Sequence, residues 1–145
     1  MSEDQHREGR QLFCRVITPE KVLYDGETDL VVARIADGDI GVLVDRAPLV
    51  STVEIGVVRV TQDDERYVFA TSDGFFKVSE NLVQILVEEA VPVEEIDVDE
   101  AENRVEQAEN ELSEVPEDDE ETREEIERRR TVAENLVWAA REYGE

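Results

Sequence analysis

The stretch Val91-Pro92-Val93-Glu94-Glu95-Ile96-Asp97-Val98-Asp99-Glu100-Ala101-Glu102-Asn103-Arg104-Val105 holds the one place where the chain changes its sequence grammar. Before Asp97, short runs of Val, Ile, Leu and Phe alternate with polar residues and are cut by Gly, Pro and Asp. After it, Gly and Pro nearly vanish, and Val98, Ala101, Val105, Ala108 and Leu112 recur at spacings of three and four, the signature of one helix face. The break predicts a molecule in two parts: a β body over 12–96 and a helical region over 97–145.

Working back from the break, the β body reads as a series of strands. Leu12–Thr18 and Lys21–Tyr24 are separated by Pro19, which cannot donate to a ladder. Leu30–Ala36 is rich in β-branched residues and ends at Asp37-Gly38. Gly38 and Gly41 bracket a tight loop, followed by Val42–Val44 and, after Pro48, Leu49–Val53. Val57–Thr61 and Arg66–Ala70 form a hairpin around Gln62–Glu65. Asp73-Gly74 turns the chain into Phe75–Val78, and Glu80-Asn81 turns it into Leu82–Val87. Roughly eight to ten short strands with close turn signals predict a flattened β-sandwich or barrel. Residues 1–11 are polar and aperiodic, and are expected to be a disordered lead-in.

Working forward, two helices are expected. Asp97 with Glu100 is a capping pair that starts the first, which runs to about Ser113. Pro116 and Glu117–Glu121 form the connector. Thr122 with Glu125 is a second capping pair, opening a helix that ends near Gly144 with an inner stripe of Ile126, Ala133, Leu136, Val137 and Ala140, interrupted by Arg129. These lengths predict a short antiparallel helical hairpin. Its Ala/Val seam buries little area, so the hairpin should borrow stability from another surface, either the sheet body or a partner. Trp138 lies opposite the stripe and should be exposed, an anchor candidate.

Charge narrows the function. There are 39 acids against 15 bases, a net charge of −24. Residues 1–96 carry 20 acids and 9 bases and residues 97–145 carry 19 and 6, so the excess is a whole-surface property. Nucleic-acid binding needs a basic face and is excluded; docking on anionic lipid is disfavoured by the same argument. The even spread fits adaptation to a salt-rich cytoplasm, with an ordinary acidic protein as the alternative. No run approaches the roughly 20 apolar residues that span a bilayer, and the charged start lacks the apolar core of a secretory signal, so a soluble, cytoplasmic chain is expected.

Catalytic chemistry is not legible. His6 is the one histidine and falls in the lead-in, so no histidine triad or metal cluster is expected. Cys14 reads as a small buried residue of the first strand. There is no phosphate-cradling Gly-rich loop, and Asp37-Gly38-Asp39 lacks the further ligands of a calcium loop. Among so many acids, a carboxylate pair at any spacing is unremarkable. No catalytic, cofactor-binding or metal residue is assigned. A free-standing acidic β-sandwich adaptor or chaperone would fit these observations too, whereas a carboxylate-pair hydrolase is disfavoured.

Gly38-Asp39-Ile40-Gly41-Val42-Leu43-Val44-Asp45-Arg46-Ala47-Pro48-Leu49 resembles the signature loop of the epsilon subunit of F-type ATP synthases, Gly-x-x-Gly-apolar-apolar-Pro-x-His-Ala-Pro-Leu. Val16–Glu20, Leu23–Gly26, Ser72–Val78 and Asn81–Val83 resemble that family's neighbouring segments, and the match runs in order from about Cys14 to Glu145. The resemblance implies a non-catalytic rotor protein with a flattened β-sandwich and a C-terminal helical hairpin. It would clamp the gamma subunit to the c-ring, so that proton-driven rotation reaches the catalytic head, and would sit peripherally on the cytoplasmic face of the membrane without inserting. The hairpin would swing up between gamma and the catalytic beta subunits and brake ATP hydrolysis.

The departures locate the candidate residues. Val44 stands for the usual Pro and Arg46 for the usual His. Asp39 keeps the acidic position and, with Arg46, is the expected contact to the c-ring; alternatively Gly38, Gly41 and Pro48 simply shape a turn. In the hairpin, Arg128, Arg129 and Arg130 are the one local basic patch and, with Trp138, the candidate contacts to beta and gamma. The alternative is that the triplet balances Glu124, Glu125 and Glu127 on its own helix. Some family members bind ATP through Ile/Leu-Asp-x-x-Arg-Ala. Here Asp99 survives but Glu102 replaces that Arg, so no nucleotide is expected, even though Arg123 and Arg130 remain.

Overall fold

The computed structural model describes residues 10–144; the expected lead-in and its His6 lie, but for Arg10 and Gln11, outside the described residues. Two compact units meet between Pro92 and Val93. The first holds ten strands: β1 (Leu12–Ile17), β2 (Val22–Thr28), β3 (Leu30–Ile35), β4 (Gly38–Val42), β5 (Leu49–Val53), β6 (Gly56–Gln62), β7 (Glu65–Thr71), β8 (Gly74–Ser79), β9 (Leu82–Val87) and β10 (Ala90–Pro92). They join into one sheet in the order β10-β7-β6-β3-β5-β8-β9-β1-β2, with β4 paired to β3. Every pairing is antiparallel except β1 with β9, which is parallel.

The sheet curls until its ends meet. The Tyr24 and Tyr67 rings lie 5.3 Å apart, and Thr28 Oγ1 donates to the Thr61 carbonyl at 2.7 Å. β2 and β10 are in contact, making a nearly closed, flattened barrel. Alternation dictates what fills it. Leu12, Cys14 and Val16 of β1, Val31, Val42, Val53, Val58, Val60, Phe76, Val78, Val83 and Ile85 all have 1% exposure or less. Mostly β-branched, they suit a pleated, packed surface. At Gly74 a Cβ would fall 2.2 Å from the Leu86 carbonyl oxygen, so close approach of β8 to β9 requires glycine there. The β8–β9 turn, Glu80-Asn81, has φ of 51° and 64°, the mirror-image geometry that matches the twist of a hairpin.

Three strand expectations change. Gly38–Gly41 is not a loop: Gly38–Val42 is β4, paired residue by residue with Val31–Ile35, and the turn is Ala36-Asp37 with Gly38 at φ +117°. Backbone ladder bonds need no side chain, so a glycine-rich segment forms a strand when its partner is rigid. Val42–Val44 is correspondingly not a strand beyond Val42. β10, three residues ending in Pro92, carries too little pattern to be read from sequence; it pairs with Phe69–Thr71 at the sheet edge, where Pro is tolerated.

The second unit starts four residues before the expected boundary because the 3-10 turn Val93–Glu95, with Val93 buried, packs on the last helix. α1 (Val98–Glu114) is capped by Asp97, whose carboxylate accepts from the Glu100 N–H at 3.1 Å, as expected. α2 (Glu120–Tyr143) starts earlier than expected: its cap is Asp119, accepting from the Thr122 N–H, and Thr122 is already helical. Ala101 and Ala108 of α1 are buried with Ile126, Val132, Ala133, Leu136 and Ala139 of α2. Val137 and Ala140 are only half-buried; Val132 and Ala139 take their place in the seam. α2 has two neighbours in this unit, α1 and the 3-10 turn, so its buried arc is wider than one stripe. Gly144 closes the helix, its N–H donating to the Ala140 carbonyl at 2.9 Å.

Candidate partner-binding surfaces

Cys14 is fully buried, and burial, with the Asp25 carboxylate adding to it, pushes its thiol up to about 12. Among the described residues no group of three or more His, Cys, Asp or Glu could hold a metal ion, and no helix is long and apolar enough to cross a membrane.

Asp39 lies on the exposed side of β4, directly opposite Arg34 of β3, with Arg34 Nε 3.5 Å from its carboxylate. The register places Arg34 beside Asp39. Both groups are more than half exposed, so the pair adds little stability and leaves Asp39 open to an incoming cation. Arg46 is half-buried in the β4–β5 loop, its Nη1 donating to the Ala47 carbonyl at 3.3 Å.

That loop is held by contacts that sequence reading did not find. Asp45, at φ 68°, donates its N–H to Asn81 Oδ1 at 2.6 Å, and its carboxylate meets Arg10 Nη1 at 2.7 Å. The anchors come from the chain start and the β8–β9 turn, 35 and 36 residues away in sequence. Pinned at Asp45, the loop presents Leu43, 60% exposed, and Val44 at the surface.

A second surface also went unread. Register aligns Thr52 of β5 with Phe75 of β8, Phe75 with Leu86 of β9, Leu86 with Ile17 of β1, and Ile17 with Val22 of β2. This row crosses five strands on the outer face, and Phe75, Leu86 and Val22 are exposed by 41%, 39% and 56%. Beside it runs Val50–Lys77–Gln84–Arg15–Asp25. The members of the first row beyond Thr52, namely Phe75, Leu86, Ile17 and Val22, form a continuous apolar row on one face of the sheet.

On the hairpin, the basic triplet is largely engaged. Arg129 Nη2 pairs with Glu111 Oε1 of α1 at 2.8 Å, and that hydrogen bond holds its guanidinium above the usual range. Arg128 and Arg130 are half-buried. Arg129 thus balances Glu111 across the hairpin, and Glu125 of its own helix adds to the effect. Arg123 donates to the carbonyls of Leu112 and Val115, each at 3.1 Å, closing the C-terminus of α1. Glu102 pairs with Arg141 at 2.8 Å, so a carboxylate and its counter-ion occupy the place of a phosphate-binding Arg. Trp138 is 48% exposed, with Tyr143 edge-on at 5.9 Å.

Comparison with known proteins agrees with this architecture. Residues 11–93 match the family model of the ATP synthase delta/epsilon chain β-sandwich domain. The ATP synthase epsilon chain of Rubrobacter xylanophilus is 65% identical over 141 residues, covering 94% of this chain and 97% of that one. Two solved structures share the fold. One is a chain of the Euglena gracilis mitochondrial ATP synthase OSCP/F1/c-ring structure, with a TM-score of 0.72, 24% identity and coverage of 89% and 81%. The other is from the Tetrahymena thermophila mitochondrial ATP synthase central stalk and c-ring, with a TM-score of 0.63, 10% identity and coverage of 90% and 97%. With a β body matching that domain over nearly its whole length and a relative 65% identical along almost the entire chain, the chain belongs to the ATP synthase epsilon chain family, the non-catalytic subunits of that complex.

Proposed function

We propose that this chain is a rotor part of the central stalk, coupling rotation of a c-ring to ATP synthesis in the catalytic head. The observation that carries the reading is the apolar row Phe75–Leu86–Ile17–Val22, set on a sheet whose core is filled by fully buried side chains. Torque needs a subunit that does not deform, and a large apolar contact holds it to a neighbour through many turns. The row is assigned to the gamma subunit. Asp39, with Arg46 and the exposed tip Leu43-Val44, is assigned to the polar loops of the c-ring, Asp39 exchanging Arg34 for a ring cation. The complex then works at the membrane, on its cytoplasmic face, without this chain entering the bilayer.

Reconstitution of the whole complex tests this. Phe75→Glu with Leu86→Glu should abolish co-purification with gamma while the isolated chain keeps its β-sheet circular dichroism; retention of gamma refutes the assignment. Asp39→Lys should leave assembly intact and weaken coupling between ion flow and synthesis.

The hairpin is assigned a braking role on ATP hydrolysis, with Trp138 as its contact to gamma or beta. Because Arg129 is committed to Glu111, the triplet Arg128–Arg130 meets the beta subunits only if that pair opens. Removing residues 97–145 should raise the hydrolysis rate of the complex. An unchanged rate removes the braking role and leaves the rotor reading standing.

A further inference from the structure

The hairpin carries a shallow groove of about 490 Å³ lined by Glu102, Val105, Glu106 and Glu109 of α1 and Glu134 and Val137 of α2. The valines are half-buried and the four glutamates exposed, so an apolar strip runs between acidic margins. Arg141, paired with Glu102, offsets one of the four charges. These carboxylates do not gather into a set able to hold a metal ion, and they repel phosphate and acidic peptides. Glu102 to Glu109 covers about two helical turns, some 10 Å, which matches two turns of a second helix laid alongside.

We propose that this groove is a docking site for a basic amphipathic helix of a partner protein, with aliphatic side chains on Val105 and Val137 and flanking Lys or Arg against Glu106, Glu109 and Glu134. The apolar strip demands an apolar stripe, and the margins demand cations on both sides of it, so charge and shape select the same occupant. Trp138 lies one helical turn beyond Glu134, on the same side of α2, and is half exposed. An incoming helix would cover it, and tryptophan anchors of this kind carry a disproportionate share of binding energy. The site does not rest on the rotor reading and is testable on the isolated chain.

Trp138 is the chain's one tryptophan, so its emission reports directly. The full chain is titrated with a synthetic helix of about 18 residues, long enough to fold on contact, bearing Leu at three- and four-residue spacing flanked by Lys. A peptide of the same composition in scrambled order serves as the control. The striped peptide should shift Trp138 emission to shorter wavelength, saturate, and bind at least about tenfold more tightly than the scrambled one, since only it presents a continuous apolar face. Glu106→Lys with Glu109→Lys should cost about tenfold more in affinity with helical circular dichroism unchanged. Equal binding of the two peptides would mean attraction to a polyanion alone, and an unmoved Trp138 spectrum would place binding elsewhere; either overturns the proposal. The comparison on the unsubstituted chain decides the matter even where the double variant fails to fold.

Discussion

Cys14 faces the barrel interior from β1, and its thiol is held neutral by burial, with the Asp25 carboxylate reinforcing the effect. Its titration is pushed from 9.0 to about 12, so the neutral form is the one the fold accommodates. The stability this confers is complete below the unfolded value, near pH 9, and is lost as pH rises through the folded one. Native protein near pH 8 should therefore resist iodoacetamide, with complete labelling only in denaturant. The alkaline fall in melting temperature should shrink in Cys14→Ala relative to the parent; an equal fall in both would show that Cys14 plays no part. Burial of Cys14 was legible, because strand alternation places residues 12, 14 and 16 on one face. The partner of Asp39 was not. Arg34 is five residues upstream, but they meet only because β4 pairs with β3 across a two-residue turn, in a stretch whose glycines read as loop.

At the scale of elements, helix starts show where local signals are clear and where they blur. Asp97 stands between the apolar residues Ile96 and Val98 at the start of a periodic run, three residues before Glu100, and it caps α1 as read. The second start is obscured by Glu117-Asp118-Asp119-Glu120-Glu121, five acids of which any could favour a helix N-terminus. Asp119 takes the role because its short side chain reaches the Thr122 N–H. Asp119→Ala should lower hairpin stability by about 1 kcal/mol, whereas Thr122→Ala, already inside the helix, should cost only a few tenths. Thermal unfolding followed at the helical band distinguishes the two, and equal losses would assign the cap wrongly. The α2 stripe was half legible: Ile126, Ala133 and Leu136 are buried as expected, while Val132 and Ala139 are buried because the 3-10 turn adds a neighbour that a two-helix periodicity cannot foresee.

For the whole molecule, charge sets the conditions under which the packing holds. A net charge of −24 on 145 residues opposes compaction in both units. The ion pairs of Arg10, Arg15, Arg34, Arg129 and Arg141 are all substantially exposed and return little. Screening should therefore help more than the loss of these pairs hurts, and the melting temperature should rise by roughly 5 °C or more between dilute and molar KCl, equivalent to about 1 kcal/mol or more. A flat or falling response would show that self-repulsion is unimportant here. The amino-acid order alone determined a β body, a helical hairpin and the break between them near Asp97, because periods of two and 3.6 are local properties of a chain. Tertiary structure alone decided that β1 runs parallel to β9, that Phe75, Leu86, Ile17 and Val22 join into one exposed row, and that Arg10 and Asn81 pin Asp45. Each of those depends on register between distant segments, and an alternating pattern looks the same after a shift of two residues, so only the packed sheet selects among the pairings.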